Sequence, residues 1–381
     1  MTLDVVDFAQ ALIRAPSVTP ADAGAMDVLQ QTLERLGFQC RRMPFGRIEN
    51  LYARRGTRGP NLCFAGHTDV VPPGDEAAWS SGPFQAVIKD GILTGRGAVD
   101  MKGAIAAFVA AAAQVASKAD PSGSLSLLIT GDEEGDAIDG TGKVVQALMG
   151  EGEVIDHCIL GEPTSATVLG DQIKVGRRGS LNAVVTVTGR QGHVAYPHQA
   201  ANPIGPLVRL LARLQNHVLD KGYQGFPASN LEITTIDVGN TATNVIPAKA
   251  SAKLNIRFNP HHDGASLADW LDQERRMAQI GFAGDIALKT SLTGNAFITE
   301  PGPFVEMISA AVADVTGAPP ELSTTGGISD ARFIRQMCPV VELGLVGATM
   351  HAVDEQVPVQ QLRDLQAIYG RLIDRYFEAA G

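Results

Sequence analysis

"NLCFAGHTDVVPPGD", residues 61–75, begins as an apolar run and ends as a turn. Leu62, Cys63, Phe64 and Ala65 follow one another without a polar break, which suits a strand buried on both faces. After Gly66 the character changes. His67 and Asp69 stand two residues apart at the mouth of that strand, ahead of Pro72, Pro73 and Gly74. Alone, the pair reads most simply as a surface loop in which Asp69 caps a turn. Its meaning depends on what the other strands lead into.

Four further strand-like runs end in the same way. "GILTG" (91–95) leads to Asp100. "LSLLIT" (125–130) leads to Asp132, Glu133 and Glu134. "HCILG" (157–161) leads to Glu162. "PVVELGL" (339–345) is followed by His351. Ligands of open α/β sheets bind at the carboxyl ends of the strands, so these side chains are expected to converge. Asp132 is set aside, because three consecutive acidic residues cannot all face one way. Asp69, Asp100, Glu133, Glu134 and Glu162 would then crowd one cleft. Two such charges ~4 Å apart repel by about 4 kcal/mol at an effective dielectric of 20. Two divalent cations nearly cancel the set. Carboxylate and imidazole without thiolate suit zinc, with cobalt or manganese as alternatives.

The length of 381 residues favours two domains. In the first part, helices are expected at about 3–14, 22–36 and 141–150. Strands are expected near 48–54, 61–66, 91–95, 125–130 and 157–161. The texture changes near 180. Strands at 180–189, 230–239, 249–258 and 285–292 and helices at 203–218 and 266–281 follow in the order β-α-β-β-α-β, a ferredoxin-like pattern. After about 294 the first texture returns, with helices at 302–316 and 359–379, another after "GGISDARFIRQM", and the strand at 339–345. The expected fold is α/β: a larger domain (1–179 and 294–381) that carries the acidic cleft, with a mixed sheet covered by helices, and an inserted α+β domain (180–293).

The net charge of −10 argues against nucleic acid or an anionic membrane as partner. Cys40, Cys63, Cys158 and Cys338 are scattered and form no C-x-x-C, which suggests reduced thiols in the cytoplasm. "MTLDVVDFAQALIR" reads as an amphipathic helix and not as a signal peptide. The Ala-rich stretch 104–117, between Lys102 and Lys118, is too short for a membrane span and reads as a buried helix.

"GHTDVVPPGD" (66–75), "GRGAVDMKG" (95–103), "TGDEEG" (130–135) and "GEPT" (161–164) together resemble the motifs of the M20 family of dinuclear-zinc amidohydrolases and exopeptidases. The match continues through "GRQGHVAYPHQAANPI" (189–204), "NVIPAKA" (244–250), "LNIRFNP" (254–260) and "GGISDARFI" (326–334), almost the whole chain. The resemblance implies two Zn2+ ions per subunit, with Co2+ or Mn2+ acceptable in one position. His67 and Glu162 would hold one ion, and Glu134 and His351 the other. Asp100 would bridge them and be followed by a cis peptide to Met101. Asp69 would orient His67. Glu133 would be the general base, taking a proton from the attacking water and passing it to the leaving amine.

His193 matches a family histidine that leaves the inserted domain and stabilises the oxyanion in a partner subunit. A homodimer through that domain is therefore implied. Arg178, Ser180, Asn244, Arg257, Thr325 and Gly326 match positions near the substrate, a small N-acyl amino acid. Without the resemblance, His193 would be a surface-loop residue, and Arg178 and Arg257 solvated strand-edge residues. Two departures concern acyl or amine preference and leave metal binding untouched. Members with otherwise similar motifs usually read P-V-N-A-T before the last histidine, where this chain has "LVGAT" with Leu345 and Gly347; and "GGGTSD" is here "TGGISD", with Ile328. Other activities of the family, and a metal- or ligand-binding relative without catalysis, stay open at this point.

Overall fold

The computed structural model describes residues 3–116 and 123–379. The chain divides into two compact units, one of residues 1–175, 299–323 and 329–381, the other of residues 176–298 and 324–328. Among the described residues no helix is long and apolar enough to cross a membrane.

The first unit is built on an eight-stranded mixed sheet. Its spatial order is Gln39–Arg42, Leu51–Arg55, Ser124–Thr130, Asn61–His67, His157–Leu160, Val340–Glu342, Gln172–Lys174 and Glu321–Ser323. The four central strands, Ser124–Thr130, Asn61–His67, His157–Leu160 and Val340–Glu342, are mutually parallel. Every residue of Asn61–His67 and Ser124–Thr130 is buried, so helices or loops cover both faces there. Parallel pairing puts the carboxyl ends of these strands along one edge. The loops after them carry Asp69, Glu133, Glu134 and Glu162.

The Ala-rich run forms helix Lys102–Ala116, buried through most of its length. Ser117 and Lys118, at the end of that stretch in the sequence, lie outside the described residues. The small side chains let Val5–Ile13 and Val359–Glu378 pack against the helix. Phe108 stacks on Phe64 with centroids 4.3 Å apart, and Tyr369 meets both rings edge-on. The Tyr369 hydroxyl donates to the carbonyl of Leu343, so the one polar atom of this aromatic group is satisfied.

The run at 91–95 departs from expectation. Only Ile92–Thr94 is extended, and it pairs with Val87–Lys89 and Gln356–Pro358 in a separate three-stranded sheet. Asp100 therefore reaches the edge of the large sheet from the turn before helix Lys102–Ala116, and not from a strand of that sheet. The reading also missed Gln39–Arg42, an edge strand whose polar sequence, "QCRR", hides it from an apolar-run criterion.

The second unit holds a four-stranded antiparallel sheet in the order Asn230–Asp237, Lys249–Phe258, Gly179–Thr188 and Asp285–Gly294. Helices Ile204–Gln215 and Gly264–Gln279 pack on it. Along the chain this is β-α-β-β-α-β, as expected. Leu181, Ala183, Val185 and Val187 alternate inward from one strand to meet Leu207, Leu210 and Leu271.

Tight approaches fix the site edge. A methyl group on Gly161 would lie 2.5 Å from Phe64 Cζ and 2.7 Å from Met101 Cε. One on Gly344 would lie 2.6 Å from the carbonyl oxygen of Gly161 and overlap the carbonyl oxygen of Glu162. Backbone atoms cannot swing aside as a side-chain tip can. Gly344→Ala is therefore expected to cost about 1–3 kcal/mol and to displace Glu162. A melting curve indistinguishable from that of the parent protein would contradict this.

Candidate metal centre

The loop after Asn61–His67 is pinned on both sides. The Thr68 amide donates to the Thr130 carbonyl at 2.9 Å, and the Val70 amide to the Ser17 carbonyl at 3.0 Å. His67 is buried, and its Nδ1 lies 2.9 Å from the backbone carbonyl of Asp69. A carbonyl only accepts, so Nδ1 carries a proton, and in the neutral ring Nε2 is the nitrogen with the lone pair. That Nε2 lies 3.2 Å from Asp100 Oδ1 and 3.7 Å from Glu162 Oε1. The other oxygen of Asp100, Oδ2, lies 3.2 Å from His351 Nε2, which is also 2.8 Å from Glu134 Oε1. One carboxylate thus addresses two imidazoles, one with each oxygen. The peptide between Asp100 and Met101 is cis.

The Asp69 carboxylate does something other than the expected contact with the His67 ring, which stays 3.7 Å away. It accepts the backbone N–H of Glu133 at 3.2 Å and of Glu134 at 3.0 Å. It is the Asp69 carbonyl that sets the imidazole tautomer, while the carboxylate shapes the loop bearing the next two acids. Asp132 turns inward and closes its own loop, accepting the amides of Ile138 and Asp139, both at 2.9 Å.

The electrostatics show what the cluster lacks. Burial pushes Glu133 up to about 8, reinforced by Asp330, Glu134 and Asp100, with His67 opposing. Burial together with the charges of Asp100 and Glu133 holds Glu162 well above the usual carboxylate range. Burial works against a charged His67, yet Asp100, Glu162 and Glu133 hold its pKa well above 6.5. Hydrogen bonds to Asp100 and Glu134 raise His351 to about 10, with burial opposing. Protons on the imidazoles are the only positive charge that these side chains can supply for themselves.

The donor set fits divalent cations. The ligand atoms of His67, Asp100 and Glu162 lie within 4.8 Å of one another, as do those of Asp100, Glu134 and His351, and those of His67, Glu133 and Glu134. Glu162 Oε1 is buried without a hydrogen-bond partner among the described residues, an arrangement that is costly unless a cation sits against it. Two groups share Asp100, so its two oxygens can serve two neighbouring ions.

The second unit gathers the remaining sequence-predicted residues into three places. Arg178 donates to Asn230 Oδ1 at 3.0 Å, and its Nε is buried without a partner among the described residues. Ser180 is paired in register with Arg257, and its hydroxyl accepts from Asn255 at 3.0 Å. Burial and the neighbouring charge of Arg178 both lower the pKa of Arg257, and Asn230, which accepts from Arg178, is the cross-strand partner of Arg257. His193 is exposed on Gly192–His193, which pairs with Val245–Ile246, and the Val194 amide donates to the Asn244 carbonyl at 3.1 Å. The Ala195 amide donates to His193 Nδ1 at 3.1 Å, which leaves Nε2 as the protonated, donating nitrogen of the neutral ring.

Thr325 and Gly326 sit in a loop held by Arg177, whose Nη1 donates to the carbonyls of Thr325 and Gly327 at 3.2 and 3.3 Å. Gly326 has φ +111°, and a methyl group there would strike the Arg177 guanidinium. The sequence reading missed Arg177; its place beside Arg178 in the strand-edge run was the available signal. It also missed Arg96 and Glu355, both buried beneath the cluster. Of the departures, Leu345 is wholly buried in the core, and Gly347 opens a single 3-10 turn, Gly347–Thr349.

Comparison with known proteins identifies the family and the fold. Residues 63–375 match the model of peptidase family M20/M25/M40. The chain is 68% identical over 379 residues, covering 100% of it and 97% of the relative, to succinyl-diaminopimelate desuccinylase of Caulobacter sp. (strain K31). The fold is shared with an M20 family metallo-carboxypeptidase from Sulfolobus solfataricus, at TM-score 0.82, 17% identity, and coverage of 99% of this chain and 100% of that one. It is shared also with a dinuclear metal-binding peptidase of the M20 family from Bacillus subtilis, at TM-score 0.73, 17% identity and 98% coverage of both. From its motifs, its fold and its full-length relatives, the chain belongs to peptidase family M20/M25/M40 and is a hydrolase.

Proposed function

We propose that this enzyme hydrolyses the amide bond of N-succinyl-LL-2,6-diaminopimelate, giving succinate and LL-2,6-diaminopimelate on the route to lysine and diaminopimelate. The activity named for its 68% identical relative supports the substrate. The observation that carries the chemistry is Asp100, with one oxygen toward His67 and the other toward His351. In this reading two zinc ions would be held, one by His67 and Glu162 and the other by Glu134 and His351, with Asp100 available to both. Cobalt or manganese would serve in one position.

Bound there, the ions would supply Lewis-acid polarisation of the amide carbonyl and acidify the attacking water. The chain's own groups do the rest. A Glu133 oxygen accepts the proton that the water loses as its oxygen adds to the carbonyl carbon. The same oxygen then delivers that proton to the amine nitrogen as the C–N bond breaks. His193, with its proton on Nε2, would reach the site of a partner subunit and donate to the oxyanion. Arg178, Arg257, Ser180, Asn244, Thr325 and Gly326 would receive the substrate carboxylates. The unpartnered Arg178 Nε and the adjacent guanidinium of Arg257 support that role. The first unit would be the catalytic domain and the second the dimerisation and lid domain of a homodimer. The four free cysteines suit a reducing compartment, and we place the enzyme in the cytoplasm.

Glu133→Gln should keep metal binding and lose about 10²–10⁴-fold in turnover. The assay should use succinyl-diaminopimelate, with N-acetylornithine as the competing substrate. Full activity in this variant, or a preference of the parent enzyme for acetylornithine, would end the assignment. In sedimentation the active protein should run as a dimer, and His193→Ala should remain dimeric while losing about 10²–10³-fold in kcat. A fully active monomer would contradict the shared site.

Metal uptake should also release protons. Neighbouring carboxylates raise the pKa of His67 and of His351 above 6.5, which favours the charged imidazoles. An imidazole must be neutral to bind a cation, so affinity should fall as pH falls. Calorimetry of zinc binding in buffers of different ionisation enthalpy measures the protons. A heat independent of buffer would refute the prediction.

A further inference from the structure

One buried ion pair joins two of the loops that carry the proposed ligands. Glu355 is wholly buried. Its Oε1 accepts the amides of Val99 at 2.8 Å and Asp100 at 3.0 Å. Its Oε2 accepts the Gly97 amide at 3.0 Å and Arg96 Nη1 at 2.8 Å. Arg96, 2% exposed, sends Nη1 onward to the Ala352 carbonyl at 3.1 Å and Nη2 to the His351 carbonyl at 3.4 Å. Its guanidinium carbon lies 5.2 Å from the centroid of the Trp79 ring, which covers it.

The turn that delivers Asp100 and the segment that delivers His351 are therefore one hydrogen-bonded body. His351 has φ +61°, a conformation a non-glycine residue keeps only where its surroundings hold it. Arg96 grips the carbonyls of that residue and the next. A buried ion pair is weak evidence of stabilisation, since well-packed apolar residues do as well. Here almost every hydrogen bond of the pair goes to the backbone of a loop bearing a proposed ligand, which points to position as its purpose.

We propose that Arg96 and Glu355 are positioning residues that hold the Asp100 carboxylate and the His351 imidazole at the separation one cation requires. The inference rests on the ligand assignment proposed above. Cutting the brace weakens the Glu134–His351 position more than the His67–Glu162 position: it loosens His351 as well as the shared Asp100, whereas the loop of His67, which Arg96 touches at the Pro72 carbonyl at 3.5 Å, stays pinned through Asp69 and Thr68.

The test is zinc titration of the metal-stripped full-length protein against a chromogenic chelator, with the cobalt absorption spectrum recorded in parallel. Glu355→Gln keeps the shape and removes the charge. Arg96→Lys keeps a cation opposite Glu355 and removes the fork that reaches His351 and Ala352. Each should weaken one of two zinc sites by about 10–100-fold and the other by less, change the spectrum of the first site most, and lower kcat with KM unchanged. If Glu355→Gln fails to fold, Arg96→Lys decides. Parent-like affinity at both sites would overturn the brace. So would an equal loss at both sites with a lowered melting temperature of the metal-free protein, which is what a role in folding alone predicts. A parent protein that takes up fewer than two zinc ions would count against the ligand assignment itself.

Discussion

Like-charge repulsion at the carboxyl edge of the parallel strands governs how the first unit is built. Asp100, Glu133, Glu134 and Glu162 come together there, and Glu162 has a buried oxygen that no donor satisfies. Such a set relaxes by spreading apart, by taking up protons or by collecting cations. Spreading is prevented because each acid sits on backbone that other groups hold. Asp69 accepts the amides of Glu133 and Glu134, and Glu355 accepts that of Asp100. Two carboxylates that touch no proposed ion thus fix the loops of those that do. With geometry held, the remaining responses are protonation, toward which burial pushes Glu133 and Glu162, and metal binding.

Holding loops that tightly requires close backbone approach beneath them. Gly161 and Gly344 supply it, since a side chain on either would strike Phe64, Met101 or the backbone before Glu162. The Ala-rich helix that follows Asp100 serves the same end. Its small side chains let the first and last helices of the unit pack against it, and Phe108 locks its register onto Phe64. The position of the Asp100 carboxylate is therefore inherited from a large core and not from local turn chemistry alone.

The second unit, taken by itself, gathers donors and positive charge. Arg178 and Arg257 lie close enough for one charge to depress the pKa of the other, which suits an anionic ligand. Arg177 shapes the Thr325–Gly327 loop from behind through backbone carbonyls. His193 keeps its donor nitrogen free because a backbone amide occupies the other.

Much of this was legible without coordinates. Continuous apolar runs marked the central strands, alternation marked the strands of the second unit, and the acids and histidines after the runs marked the site. These are local patterns, written in side-chain type and period. The motifs at 66–75, 95–103, 130–135 and 161–164 carried the family. What sequence alone left open depends on which groups become neighbours. The run at 91–95 joined a small separate sheet because its partners at 356–358 lie far along the chain. Asp69 turned its carboxylate to amides 64 and 65 residues away, and only its carbonyl to His67. Arg96 and Glu355 looked like ordinary charged residues until folding buried them against each other. The sequence by itself determined which elements form and which residue types reach the sheet edge. The choice of hydrogen-bond partner for each buried carboxylate was made only by tertiary packing, because that choice depends on distance and desolvation between segments remote in the chain.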